Sequence, residues 1–92
     1  MSTRHIWTET EDKVAFYLYK FGGGVSSPDL ESWCAVLEIE PASMKMRIGN
    51  FKALDGKGGL ENWAAQSEKI YNLYKDVSEA EFRKEITEIA RG

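Results

Sequence analysis

SPDLESWCAVLEIEPASMKMRIGNFKAL, residues 27–54, is the stretch whose reading decides the fold. Ser27-Pro28-Asp29 is a helix start: serine as cap, proline at the first helical position where its missing N–H costs nothing, and an aspartate against the positive helix end. Leu30, Trp33, Cys34 and Leu37 then recur at the i, i+3, i+4, i+7 spacing that lines one helical face. This predicts a helix over 28–37, ending in the short turn Glu38-Ile39-Glu40. Pro41 restarts a helix, and Met44, Ile48 and Phe51 mark its buried face with Leu54 closing the stripe, which predicts a second helix over 41–54.

Upstream, Thr8-Glu9-Thr10-Glu11 has the form of a capping box, in which the Thr8 hydroxyl accepts from a first-turn amide and the Glu11 carboxylate accepts from the Thr8 amide. Val14, Tyr17, Leu18 and Phe21 line one face of the helix it opens, and Gly22-Gly23-Gly24 stops it, which predicts a helix over 9–21. Downstream, Asp55-Gly56-Lys57-Gly58-Gly59 is read as a glycine-rich loop or a small β-wing over 55–60, both alternatives staying open. Trp63, Ile70, Leu73, Tyr74 and Val77 suggest a helix over 63–75, and Ser78-Glu79-Ala80-Glu81 is another capping box opening a last helix with Phe82, Ile86 and Ile89, so that 62–91 holds the C-terminal helices. The expected architecture is all-α: residues 1–92 as a single domain of about five short helices, with a helix-turn-helix over 28–54.

Composition narrows the function. Ninety-two residues make one small domain with one core and leave no room for a large substrate-enclosing cleft. The single cysteine, Cys34, cannot close an internal disulfide, and with the single histidine, His5, it cannot supply a four-ligand zinc set. Cys34, flanked by buried positions, is read as an inert packed thiol, and Trp7, Trp33 and Trp63 as core anchors. No apolar run approaches the roughly 18 residues that a membrane span needs, and the first residues lack an apolar signal core, so a cytoplasmic protein without a membrane partner is expected. No nucleophile–base pair, metal set or phosphate loop is visible, so a non-enzyme without cofactors is expected.

Charge is unevenly spread. The chain carries 12 Lys and Arg against 15 Asp and Glu, a formal net charge of −3, which argues against a general polyanion binder. Yet residues 41–59 hold Lys45, Arg47, Lys52 and Lys57 against Asp55 alone, the one basic segment in an otherwise acidic chain. A short turn followed by a basic helix is the arrangement of a helix-turn-helix, whose second helix lies in the major groove. In that register Cys34 takes the small buried position where the helices cross, Leu37 the last apolar site before the turn, Ile39 the apolar turn site and Met44 the inward site. Glu38 falls where such motifs usually place glycine, so a non-glycine residue must adopt an unusual backbone conformation or the turn must take a different shape. Ser43, Lys45, Met46, Arg47, Asn50 and Lys52 lie off the apolar stripe and are expected to face outward. Arg47 is expected to read guanine and Asn50 adenine, Met46 is an outward residue fit for a thymine methyl or a partner protein, and Lys45, Lys52 and Lys57 are expected to hold phosphates. Gly49, costly in a helix by roughly 1 kcal/mol against alanine, suggests close approach of another backbone.

The run Ala15-Phe16-Tyr17-Leu18-Tyr19 with Gly22, and above all Ser43-Met44-Lys45-Met46-Arg47-Ile48-Gly49-Asn50-Phe51-Lys52-Ala53-Leu54-Asp55 with Gly59-Leu60, resembles the N-terminal domain found ahead of HNH nuclease domains in restriction endonuclease-like proteins. The resemblance covers about residues 13–60. It implies a DNA-recognition module next to a nuclease, with Ser43, Lys45, Arg47 and Asn50 on the matching helix; the nuclease half is missing, since one histidine cannot make an HNH metal site. Trp7-Thr8-Glu9 with Glu11-Asp12 is also similar, more weakly, to the start of Myb/SANT helices.

Two functions are therefore weighed. The first is a non-catalytic double-stranded DNA-binding module, serving transcription regulation or the recognition part of a restriction-type system. The second is a protein–protein interaction module, an adaptor or phage-type inhibitor, in which acidic helix 28–37 or the C-terminal helix steers a basic partner through residues such as Glu31, Glu38 and Glu40. A homodimer through Phe82, Ile86 and Ile89 is open, since the same residues serve equally to close the core.

Overall fold

A computed structural model describes residues 7–23, 27–56 and 64–91, and the structural statements that follow concern those residues. Five helices follow one another: α1 (Glu9–Lys20), α2 (Leu30–Leu37), α3 (Pro41–Leu54), α4 (Ala65–Tyr74) and α5 (Glu79–Arg91). The fold is all-α, and no strand occurs among the described residues. The loop that was open to a β-wing lies, beyond Gly56, outside the described residues, as do Lys57, Trp63 and His5. None of the described helices is long and apolar enough to cross a membrane.

Side-chain caps open α1 and α5. The Thr8 hydroxyl accepts from the Glu11 N–H at 3.2 Å while Glu11 Oε1 accepts from the Thr8 N–H at 2.9 Å, the expected reciprocal pair. Ser78 Oγ accepts from the Glu81 N–H at 3.3 Å at the start of α5. The second helix departs from expectation: it begins at Leu30, not Pro28. Ser27 Oγ takes the Asp29 N–H at 3.2 Å and the Ser27 carbonyl takes the Leu30 N–H at 3.3 Å, so Ser27-Pro28-Asp29 is spent on a turn ahead of the helix.

Helix α1 lies at the centre and touches all four other helices. Its burial is accordingly wider than one stripe: Val14, Ala15, Phe16 and Leu18 are fully buried, whereas Tyr17 and Phe21 only lean on the core. Phe16 is the hub, with its ring 5.3 Å from Phe51 of α3, 6.2 Å from Tyr71 of α4 and 5.5 Å from Phe82 of α5. Tilted and edge-on contacts of this kind match the positive edge of one ring to the negative face of another. Phe82 and Ile86 are buried within this core, so on α5 they close the fold. Trp7 and Trp33 pack against the core as expected.

The connection between α2 and α3 is Glu38-Ile39-Glu40. Cys34, Ile39 and Met44 are buried and Leu37 is partly so. Glu38 is left-handed at φ 57, ψ 46 and is the only non-glycine residue with positive φ among those described. For an L-residue that conformation costs about 1–2 kcal/mol. The Ile39 N–H closes the helix end by donating to the Cys34 carbonyl at 2.9 Å, and burial of Ile39 holds the turn in place.

Candidate nucleic-acid interface

Helix α3 has two outward-looking flanks in sequence, and the fold treats them differently. On one flank Pro41, Ala42, Lys45, Met46 and Lys52 are exposed, Met46 at 76%. This ridge opens with the first turn, where Glu40 makes no side-chain cap and no acidic residue follows. On the other flank Ser43, Arg47 and Asn50 are only partly accessible, and Arg47 and Asn50 are engaged by neighbouring segments.

The expected exposure of Arg47 and Asn50 is therefore corrected. The Arg47 guanidinium grips the carboxylate of Asp12 on α1 with two parallel bonds, Nε to Oδ1 at 2.6 Å and a terminal nitrogen to Oδ2 at 2.7 Å. Its far face lies 4.8 Å from the centre of the Trp7 ring, and only 13% of the side chain is accessible. Asp12 itself is fully buried and also accepts from Gln66 Nε2 at 2.7 Å and Ser67 Oγ at 3.1 Å, both on α4. Gln66 Nε2 donates as well to the Trp7 carbonyl at 2.9 Å. A buried carboxylate requires this kind of saturation, because water is absent and each unmet lone pair is penalised. Asn50 Oδ1 accepts from the Ala64 N–H at 3.3 Å and so caps the first turn of α4, which has no capping side chain of its own. The Arg47 guanidinium is thus committed to Asp12, and the Asn50 carboxamide oxygen to Ala64.

Sequence reasoning missed this arrangement because α3 was treated as a helix with one buried stripe. It packs on α1, α2 and α4 together, so the flank beside the stripe is covered too. The one available signal was Asp12, a carboxylate at the start of an apolar run; its partner stands 35 positions away.

A second polar cluster sits at the far end of α3. Asp55 accepts from Tyr19 at 2.7 Å and from Tyr71 at 2.9 Å, beside a cleft of about 240 Å³ that also reaches Phe16, Lys20 and Asp76. The Lys20 ammonium donates to the Lys75 carbonyl at its rim. Burial and then the bond to Asp55 push the Tyr19 hydroxyl well above its ordinary value, and the Tyr71 hydroxyl is raised too, first by its bond to the same carboxylate. A group whose pKa rises on folding contributes stability that is complete below its unfolded value and fades as pH climbs past it. Tyr19→Phe is accordingly expected to cost about 1–2 kcal/mol at pH 7, a hydrogen bond to a charged acceptor. The gap to the parent protein should narrow above about pH 10, as urea midpoints measured from pH 7 to 11 will register. A gap that stays constant with pH would contradict the assignment.

Burial also raises the Cys34 thiol, with Glu31 adding to the effect and Lys45 opposing it, which fits an unreactive packed side chain. No group of acidic, histidine or cysteine side chains able to hold a metal ion occurs among the described residues. The chain matches no known family model, no curated protein sequence and no solved structure.

Proposed function

We propose that this chain is a non-catalytic double-stranded DNA-binding module that lays the exposed ridge of α3 in the major groove, as the recognition part of a restriction-type system or of a transcription regulator. One observation carries the reading: after a turn held by left-handed Glu38 and buried Ile39, α3 leaves Pro41, Ala42, Lys45, Met46 and Lys52 open to solvent. Helix-turn-helix proteins present the N-terminal residues of their second helix to base edges. Met46 therefore replaces Arg47 and Asn50 at the base edges, packing on a thymine methyl, while Lys45 pairs with a phosphate. Lys52, two turns beyond Lys45, pairs with a phosphate. Arg47 and Asn50 act at one remove, by fixing α3 against α1 and α4.

Two or three neutralised phosphates, from Lys45, Lys52 and, five positions further along the sequence, Lys57, correspond to a log–log salt slope of about −2 to −3. Anisotropy of a labelled duplex pool titrated with the protein between 50 and 300 mM salt is expected to return that slope. Lys45→Ala and Lys52→Ala should each flatten it by about one. Absence of saturable binding at 50 mM salt, or a slope indifferent to both substitutions, overturns the proposal.

A further inference from the structure

Where α2 turns into α3 the surface forms a shallow groove of about 450 Å³ whose floor is Cys34, Ala35, Ile39 and Pro41 and whose rim carries Glu31, Glu38 and Glu40. Three other glutamates find cations: Glu9 meets Lys69 at 2.9 Å, Glu79 meets Arg83 at 3.1 Å and Glu85 meets Lys13 at 3.7 Å. No ion pair or side-chain hydrogen bond engages Glu31, Glu38 or Glu40 among the described residues. Val36, one position beyond the floor residue Ala35, is 56% exposed.

We propose that this groove docks a basic segment of a protein partner, with one apolar side chain over the Cys34–Ile39 floor and flanking lysines or arginines paired with the three rim glutamates. The complementarity excludes other occupants. Three carboxylates without a cation partner repel phosphate, so anionic lipid is turned away from this groove. They are not grouped to ligate a metal ion. A wholly polar cationic segment would leave the floor wet, whereas an apolar anchor ringed by cations satisfies floor and rim together. The left-handed backbone of Glu38 points the same way: glycine would sit there without strain, and a carboxylate stands there instead. The inference does not rest on the DNA reading: Pro41 borders both surfaces, but the groove is framed by Glu31, Glu38 and Glu40, whereas the ridge uses Lys45, Met46 and Lys52.

The test is a titration of the isotope-labelled full chain with the peptide acetyl-Gly-Arg-Lys-Leu-Arg-Lys-Gly-amide, followed by amide shifts. Saturable shifts are expected at Cys34, Ala35 and Ile39. A control peptide with serine in place of leucine should bind at least about 5-fold more weakly, as loss of the apolar anchor requires. Glu40→Gln and Glu38→Gly should each weaken binding about 3- to 10-fold, consistent with one partly exposed ion pair. Glu38→Gly relieves the turn, so its melting temperature should stay level or rise while binding falls, which separates a docking role from a structural one. Shifts elsewhere, no saturable shift, or equal binding of the serine control would overturn the proposal, the last by showing only general attraction to an acidic chain.

Discussion

Arg47→Ala is expected to lower the unfolding free energy by about 3–5 kcal/mol, because it leaves the fully buried Asp12 carboxylate without its counter-charge. A domain of this size has about 5–14 kcal/mol in all, so the variant should lose a large part of its stability and melt roughly 15–30 °C lower. Gln66 and Ser67 would still donate to Asp12, but neutral donors do not offset a buried negative charge. The effect belongs to the pair, and this is checkable. Asp12→Ala combined with Arg47→Ala should cost distinctly less than the two single losses added together, since the double variant buries no unpaired ion. Urea unfolding of the four proteins measures this. If Arg47→Ala costs under about 1 kcal/mol, the ion pair is not formed as described and Arg47 returns as a side chain free to meet DNA.

Phe82→Ala should be comparably severe, at about 3–5 kcal/mol for a fully buried aromatic ring. Phe82 is the means by which α5 joins the rest. Its ring stands edge-on to Tyr74 at 4.9 Å and lies 5.5 Å from Phe16, 6.3 Å from Tyr17 and 6.4 Å from Phe21. Without it α5 keeps Ile86, the partial packing of Ile89 and the partly exposed Lys13–Glu85 contact, the last of which contributes little. The expected outcome is regional: α5 amides should exchange with solvent well before those of α1 and α3. Loss of protection that is uniform along the chain would mean that α5 and the α1–α4 core open as one unit.

Much of the secondary structure was legible because its causes are local. Helix α3 spans Pro41–Leu54 as proline at the first position and Asp55-Gly56 at the end indicate, and α1 begins where the Thr8 box places it. The boundaries that slipped have non-local causes or competing local ones. Ser27 caps nothing because its hydroxyl is taken by Asp29 two residues on. The start of α4 carries no capping residue of its own, since the cap, Asn50, reaches across from α3. The same logic divides the candidate site. Lys45, Met46 and Lys52 are exposed because no helix covers them, whereas Arg47 is held by α1 and Asn50 by the residue that opens α4, although Asn50 lies farther round the helix from the Met44–Ile48–Phe51 stripe than Lys45 or Lys52 does.

The sequence alone determined that this chain makes five helices, where most of them begin and many of the apolar side chains that point inward, though not the exposure of Leu73 or the burial of Phe16, because capping and a 3.6-residue period act between residues a turn or so apart. Tertiary structure decided which polar side chains of α3 meet water. A helix shows its own stripe to any reader, but the number of helices packed around it depends on contacts dozens of residues apart. Here those contacts bring Asp12 to Arg47 and the α4 start to Asn50.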